Sequence, residues 1–225
     1  MDKAIKSLSI DCVIFGYEDT ELKVLLIKRK KEPEQGMWAL PGGFILEDED
    51  LNESAQRILL ELTGVKGVFM DQVKTFGEVK RYPLRRVITI VYYALIKSDV
   101  YKIKAGALAT DAKWFSIKKT PELPFDHPAI LAESLTMLQN KLRQEPVGFE
   151  LLPDKFSLTQ LQQLYEAILD TTLDKRNFRK KLLKMKLLIQ LSEIQKGVAH
   201  RAAKLYKFDP KIYAMLKKKG FVFEL

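Results

Sequence analysis

The sequence predicts an α+β chain with two domains, a mixed α/β/α domain at residues 1–146 and a smaller, mostly helical domain at residues 147–225. Three observations lead to this prediction. Strand patterns alternate with turn signals over the first third of the chain, whereas apolar residues at helical spacing dominate after residue 156. A Glu145-Pro146 pair separates the two patterns, and the balance of charge changes at the same point.

The predicted elements of the first domain follow from local patterns. Apolar residues at helical spacing predict a helix over residues 50–63, which Gly64 ends. A loop rich in glycine is predicted at residues 35–44, and a second helix at about residues 129–143 follows a proline-bearing stretch. The predicted strands cover residues 8–17, 23–29, 68–76, 87–96 and 113–117.

The second domain is predicted to consist of three helices and two short strands. Ser157 and Gln160 form a capping box that begins the first helix, at residues 158–169. Asp174 is a good N-cap for a helix over residues 175–185. Asp209 and the proline after it begin a last short helix, which Gly220 ends. The two strand candidates cover residues 187–189 and 203–208.

The composition is that of an ordinary globular protein. Of the 225 residues, 47% are hydrophobic and 30% are charged, which excludes wholesale disorder. The most continuous apolar segment, residues 87–96, is too short to cross a bilayer, which takes about 20 residues. The single cysteine, Cys12, cannot form an internal disulfide and lies in an apolar run, and no Cys/His metal spacing occurs. With no signal-peptide core, the chain is expected to be cytoplasmic.

All of the excess positive charge lies in the last third of the chain. The formal net charge is +9, and residues 151–225 hold 16 basic and 7 acidic residues, whereas the basic and acidic residues of 1–150 balance. A neutral domain joined to a strongly basic one indicates that the basic one meets a polyanion. The alternative is a solvated lysine-rich surface, and composition alone does not choose between DNA, RNA and an anionic membrane.

Residues 38–65 resemble the Nudix box, the signature of a phosphohydrolase family. The family pattern is Gly-x5-Glu-x7-Arg-Glu-U-x-Glu-Glu-x-Gly-U, in which U is aliphatic. Gly43, Glu49, Arg57 and the closing Gly64 match it with no gap in the spacing, and the preceding Trp-x-Leu-Pro-Gly-Gly fits as well. The resemblance implies a Nudix-like fold for the first domain.

The centre of this box departs from the pattern. In the family, glutamates at positions 58, 61 and 62 hold the Mg²⁺ that activates water, but this chain has Ile58 and Leu62 beside Glu61. Magnesium requires oxygen ligands, so hydrolase activity and a metal cofactor are not expected. Glu49 and Arg57 are expected to pair and hold the loop. The cleft would then bind a phosphorylated or sugar-like ligand without turning it over, as a sensor does.

A winged helix-turn-helix is predicted in the basic domain. Phe178 and Leu182 give the helix at residues 175–185 an apolar side, and its basic side is expected to face outward as a recognition helix. Arginine reads guanine and asparagine reads adenine in the major groove, while lysine and the helix N-terminus contact phosphate. The DNA-contacting residues of this helix are predicted to be Lys175, Arg176, Asn177, Arg179, Lys180 and Lys184.

The segment after this helix is expected to form the wing. Residues 196–206 carry basic residues and a glycine between the two strand candidates, and Arg201 at the tip could enter a minor groove. His200, the residue before Arg201, is also predicted to contact DNA. The competing interpretation is a solvated basic helix with no partner.

The two domains together resemble the Nudix-related transcriptional regulators. Further similarity lies at residues 76–85, 125–127 and 173–179. The resemblance implies a homodimer on palindromic operator DNA, a small-molecule effector and a role as a repressor. Known effectors in that family include ADP-ribose and L-arabinose. The chain looks most like the arabinose-responsive branch, and this resemblance implies control of sugar catabolism. It departs from the ADP-ribose branch at Tyr82, which follows Arg81 at a position where that branch has aspartate.

Six residues around the expected cleft are predicted to bind the effector. They are Trp38, Glu61, Arg81, Tyr82, Arg85 and His127, and core packing is an alternative for the tryptophan. Two other functions stay open. A Nudix hydrolase of ADP-ribose-like nucleoside diphosphate sugars with a basic docking tail would need metal ligands at positions 58 and 62. An RNA-binding module would need an aromatic stacking face, which the sequence does not reveal.

Overall fold

The computed structural model describes residues 4–195, 202–221 and 223. The chain forms two compact units, Met1–Glu18 with Leu22–Met137 and Asp19–Glu21 with Leu138–Leu225. The division falls inside a long helix rather than at the Glu145-Pro146 pair. The predicted boundary at residue 146 therefore stays a prediction.

A seven-stranded mixed sheet is the framework of the first unit. Its strands are β1 (Ala4–Glu18), β2 (Glu21–Arg29), β3 (Trp38–Ala39), β4 (Gly42–Leu46), β5 (Asp71–Phe76), β6 (Ile88–Leu95) and β7 (Ala109–Ser116). The order is β3-β2-β1-β6-β5, with β4 paired to β1 and β7 paired to β2. β1 and β6 pair in parallel from Leu8 with Ile88 to Phe15 with Leu95. Cys12 is buried in β1 as expected, and burial raises the pKa of its thiol.

Two helices, α1 (Leu51–Thr63) and α2 (His127–Gln144), begin and end close to the predicted positions. Asp50 caps α1 in a capping box with Glu53, and Gly64 ends it with a φ of 74°, a conformation that glycine adopts without strain. The apolar face of α1 is buried against the sheet, as its spacing predicts. A cap of this type contributes about 1 kcal/mol to helix stability.

The predicted loop at residues 35–44 contains β3 and the beginning of β4. β3 pairs with β2, and β4 pairs with β1 so closely that a Cβ on Gly42 would lie 2.1 Å from Asp11 Oδ1. Local turn residues predict a loop here, but pairing with strands that are distant in sequence makes these residues extended. Gly42 is thus required for the close approach of β4 to the polar side chain of Asp11.

The second unit contains a helix pair followed by a small antiparallel sheet, as a winged helix domain does. Its elements are β8 (Phe156–Ser157), α3 (Leu158–Leu169), α4 (Lys175–Lys184), β9 (Leu188–Ile194), β10 (Lys204–Phe208) and α5 (Pro210–Lys218). The sheet order is β8-β10-β9. Ser157 caps α3 and Asp174 caps α4, and both caps were predicted.

The core of the second unit joins α3 to α4. Leu161, Leu164 and Tyr165 of α3 are buried, as are Phe178 and Leu182 of α4. The rings of Tyr165 and Phe178 meet edge to face with centroids 5.6 Å apart. This packing orients the remaining faces of α4. Within residues 4–195, 202–221 and 223, no helix has the length and apolar content needed to cross a membrane.

Candidate functional site

A cavity of about 290 Å³ opens in the first unit beside α1. Residues from β1, β2, β4, α1 and the segments before β6 and α2 line it. They include Asp11, Arg29, Lys30, Lys31, Phe44, Ile58, Glu61, Leu62, Arg81, Tyr82, Phe125 and His127. The lining combines apolar surface with several cationic side chains, which suits an organic ligand with a negative charge.

Three aromatic side chains stand together in this lining. The ring centroids of Tyr82 and Phe125 are 5.4 Å apart, and those of Phe44 and Tyr82 are 6.4 Å apart at nearly a right angle. Phe125 has a φ of 58°, so its backbone is held in the left-handed region. The cluster gives the cavity an aromatic wall on which a planar ring could pack.

Arg81 is the centre of a buried ion-pair network. Its Nε and Nη2 atoms lie 2.7 Å and 2.8 Å from the two carboxylate oxygens of Asp126, and Nη2 lies 3.2 Å from Asp11 Oδ2. Thr89 donates to the same Asp11 oxygen over 2.8 Å. Arg81 is only 8% exposed. This bidentate geometry ties the segment before β6 to β1 and to the start of α2.

His127 is held as a neutral imidazole. The backbone N–H of Leu40 donates to its Nδ1 over 3.0 Å, so the ring hydrogen is on Nε2. That Nε2 lies 3.6 Å from Asp11 Oδ1, which is too long for a good hydrogen bond. Burial lowers the pKa of His127, although Asp11 and Asp126 oppose this effect. The contact between His127 and Asp11 is therefore polar and is not an ion pair.

Arg57 of the Nudix box pairs with Glu49, as the sequence predicts. Its Nη2 lies 2.9 Å from Glu49 Oε2, and it also donates to the carbonyl oxygen of Phe44. Ser54 donates to Glu49 over 2.6 Å. The hydrogen bond from Arg57 lowers the pKa of Glu49 to about 2. Arg57 Nη1 also lies 3.2 Å from Glu61 Oε2.

The Nudix box does not present a ligand set that fits Mg²⁺. Ile58 and Leu62 are 1% and 5% exposed and belong to the core beneath the cavity. The carboxylates of Glu49 and Glu61, the remaining box acids, are both engaged by Arg57. Among the described residues, no three His, Cys, Asp or Glu side chains come together to hold a metal ion.

The structure brings four of the six predicted ligand residues to the cavity. Glu61, Arg81, Tyr82 and His127 line it, and their role as effector contacts stays a prediction. Trp38 is not in the lining, since its ring meets Phe115 at 4.8 Å, the packing alternative considered above.

Arg85 is also outside the lining, where its guanidinium lies 5.6 Å from the ring centroid of Phe44. The lining residues that sequence reasoning missed include Asp11, Arg29, Phe44 and Phe125. The local signals were the cationic run that begins at Arg29, before the Nudix box, and, for Phe125, the family-like stretch at residues 125–127.

The N-terminal part of α4 presents the basic surface predicted for a recognition helix. The Asp174 carboxylate accepts from the backbone N–H of Asn177 over 2.7 Å, which fixes the first turn. Five of the six residues predicted to contact DNA from this helix are exposed, namely Lys175, Arg176, Asn177, Lys180 and Lys184. Their contact with DNA remains a prediction.

The predicted outward orientation of Arg179 is wrong. This side chain is half-buried, and its Nη2 donates to Thr159 Oγ1 of α3 over 3.0 Å. Its Nε is buried and has no hydrogen-bond partner among the described residues. The helical spacing places Arg179 between the exposed and the buried faces of α4. The hydroxyl of Thr159 on α3 accepts a hydrogen bond from its guanidinium. Arg179 therefore turns toward α3.

A polar groove lies beside Arg179 within the second unit. Its volume is about 540 Å³, and α3, α4 and β10 contribute to its lining. The cations Lys175, Arg179 and Lys204 line it, and no acidic side chain of the described residues does. Such a surface suits an anion such as a phosphate. His200 and Arg201, the residues predicted for the wing, lie outside the described residues.

Comparison with protein families matches both units of the chain. Residues 6–136 match the NUDIX domain, and residues 148–208 match the NrtR DNA-binding winged helix domain. The chain is 33% identical over 205 residues to the ADPR responsive transcriptional repressor NtrR of Acinetobacter baylyi, covering 89% of this chain and 81% of that protein. It is also 34% identical over 118 residues to the ADP-ribose pyrophosphatase of Methanocaldococcus jannaschii, which covers 52% of this chain and 69% of that enzyme.

Solved structures of NrtR from Shewanella oneidensis are similar to this chain. The complex with a 27mer DNA has a TM-score of 0.78 and 32% identity, over 92% of this chain and 95% of that one. The NUDIX domain complexed with ADP ribose has a TM-score of 0.54 and 35% identity, over 59% of this chain and 88% of that one. The chain belongs to the NrtR-type family of transcriptional regulators, which join a Nudix domain to a winged helix domain.

Proposed function

We propose that this protein is an ADP-ribose-responsive transcriptional repressor whose Nudix domain senses its ligand without hydrolysing it. The observation that carries the proposal is the burial of Ile58 and Leu62 at the positions where a Nudix hydrolase places its metal ligands. The cavity above them is retained, so a ligand can bind where the hydrolytic machinery is missing. The relationship to the Acinetobacter repressor supports the same conclusion.

ADP-ribose fits the cavity better than L-arabinose does. The lining offers an aromatic wall and the cations Arg29, Lys30 and Lys31, which suit a nucleobase and a diphosphate. A neutral pentose would leave those cations without a partner. The relatives described above support ADP-ribose and give no support to the arabinose-responsive branch or to a role in sugar catabolism. Tyr82, which replaces the expected aspartate, belongs to the aromatic wall.

The second unit is proposed to bind duplex DNA through α4. Exposed Arg176, Asn177 and Lys180 near the N-terminus of this helix are placed to read base edges in the major groove. The acid-free groove beside Arg179 is suited to the phosphate backbone. His200 and Arg201 keep their proposed role in the wing. A homodimer would set two such helices on a palindromic operator about one DNA turn apart.

Regulation requires that ADP-ribose bind more tightly to the protein that is free of operator than to the complex. A coupling of about 1–3 kcal/mol is typical and would weaken operator affinity roughly 5- to 150-fold. Because thermodynamic coupling is reciprocal, operator DNA should reduce the affinity for ADP-ribose by the same factor.

A gel-shift titration at fixed salt tests this proposal. An operator selected from random duplexes is titrated with the full chain alone, with ADP-ribose and with L-arabinose. We expect ADP-ribose to weaken the complex and L-arabinose to have no effect. The reverse pattern would restore the arabinose assignment, and no response to any sugar or nucleotide would remove the sensor role. A single-stranded RNA of the same length is the competitor that tests the RNA-binding alternative.

The competing function is hydrolysis of ADP-ribose, as in the pyrophosphatase relative. AMP release from ADP-ribose is measured with Mg²⁺ present. The natural sequence is compared with a double variant, Ile58→Glu and Leu62→Glu, in which the glutamates of the Nudix box are restored. We expect no AMP from the natural sequence. Magnesium-dependent AMP release by the natural sequence would favour the hydrolase instead.

A further inference from the structure

Arg29 is fixed at the mouth of the cavity by both its backbone and its side chain. It is the last residue of β2, its N–H donates to Met37 over 2.9 Å, and its carbonyl accepts from Gly36 over 2.9 Å. Its Nε donates to the carbonyl of Pro33 over 2.9 Å. Its guanidinium carbon lies 5.0 Å from the centroid of the Phe125 ring. The side chain is thus held in the cavity lining by uncharged partners.

The charge of Arg29 is not matched by a carboxylate. Three arginines line the cavity, and two of them are committed: Arg57 pairs with Glu49 and Glu61, and Arg81 pairs with Asp11 and Asp126. Arg29 makes no ion pair with any described residue.

The carboxylates around Arg29 act only over longer distances. Burial of the guanidinium lowers its pKa, and Tyr82 together with the carboxylates of Asp11, Glu34 and Glu32 opposes this effect. A half-buried guanidinium without a paired anion has donors left for a ligand.

At positions 58 and 62 the cavity also lacks the carboxylates that would hold the metal ion of a Nudix enzyme. A diphosphate placed against α1 would meet Ile58 and Leu62, which hold no metal ion. Its negative charge must then be balanced by protein cations. Arg29 is the arginine of this lining that makes no ion pair with a described residue. Lys30 and Lys31, which follow it, also line the cavity and are exposed.

We propose that Arg29 binds the diphosphate group of the effector in place of a metal ion, so that effector binding is independent of divalent cations. The planar guanidinium can give parallel hydrogen bonds to phosphate oxygens, which a lysine cannot. The inference deepens the proposed function by assigning the recognition of the diphosphate to one residue. This inference depends on the proposed function only because that function identifies ADP-ribose as the complete effector.

Isothermal titration calorimetry of the full chain tests this inference. The ligands are ADP-ribose, ADP and inorganic pyrophosphate, each titrated in EDTA and in Mg²⁺. We expect ADP-ribose to bind equally well in both buffers. Arg29→Gln should weaken its binding by about 10- to 100-fold, the range for loss of a charge-assisted hydrogen bond, and Arg29→Lys should give an intermediate loss. Arg143→Gln, a change of an exposed arginine outside the cavity, should leave the affinity unchanged.

Operator binding without ligand separates a folding defect from a binding defect. Arg29→Gln should bind operator DNA like the natural sequence, because Arg29 lies outside the winged helix domain. The inference is overturned if EDTA abolishes ligand binding, if Arg29→Gln binds like the natural sequence, or if none of the three ligands binds in EDTA. If ADP and pyrophosphate bind through Arg29 but ADP-ribose does not, the inference stands and the proposed effector is wrong.

Discussion

Replacement of Arg81 by methionine should destabilise the first domain strongly, even though Arg81 lines the cavity. The side chain is 4% exposed and pairs with two carboxylates, Asp126 at 2.7 Å and 2.8 Å and Asp11 at 3.2 Å. Methionine fills a similar volume and leaves Asp11 buried without its cation. Removal of one partner from a buried ion pair costs about 3–5 kcal/mol of the free energy of unfolding.

The effect can be measured as the melting temperature of the full chain. For a domain of this size, a loss of about 3–5 kcal/mol lowers the midpoint by roughly 10–20 °C. Arg86→Met is the matched control, because Arg86 is an exposed arginine of the same segment, and its change should stay within about 0.5 kcal/mol.

A double-mutant cycle then isolates the ion pair. Arg81→Met combined with Asp126→Asn should cost less than the sum of the single changes. If Arg81→Met melts like the natural sequence and loses only ligand affinity, Arg81 is a ligand contact and the network argument is refuted.

Three further predictions concern individual contacts. Arg176→Ala should lower operator affinity by about 1–3 kcal/mol and relax the preference for one base pair. Arg179→Ala should weaken the binding of all DNA sequences to the same extent. An equal loss of specificity in both variants, measured by binding titration, would contradict this distinction. Glu49→Gln should destabilise the protein at neutral pH. Because the pKa of Glu49 is lowered to about 2, its stabilisation is complete above the unfolded pKa of about 4.5 and is lost as the pH falls toward 2. The melting difference from the natural sequence should therefore shrink in acid, and a constant difference argues against the Arg57 pairing. Asp174→Ala removes the cap of α4 and should cost about 1 kcal/mol in a denaturant titration, with Asp99→Ala, a change of an exposed aspartate in a turn, as the control.

Local sequence signals predicted most of the elements. Helix ends were found because their caps are local, as Ser157, Asp174 and Gly64 show. The helix over residues 50–63 was predicted from apolar residues at helical spacing, and the buried face of α1 includes Ile58 and Leu62. The two-residue strand β3 was missed because its extended conformation depends on pairing with β2.

The polar contacts of the site could not be predicted in the same way. The partners of Arg81 lie 70 and 45 residues away in the chain, and no local pattern indicates which carboxylates will meet it. Arg29 is a cation at the end of a strand, and its lack of an ion pair becomes visible only when its neighbours are known. Arg179 was assigned to the outer face of α4 from helical spacing, and the hydroxyl of Thr159 decides its orientation instead.

The most direct test of the central claim follows one ligand through both domains. ADP-ribose is added, with Mg²⁺ present, to the full chain bound to its operator, and the released DNA and all nucleotides are quantified together. We predict that the DNA dissociates and that ADP-ribose is recovered intact. Conversion of ADP-ribose to AMP, or saturation of the protein with ADP-ribose while the operator stays bound, would contradict the account.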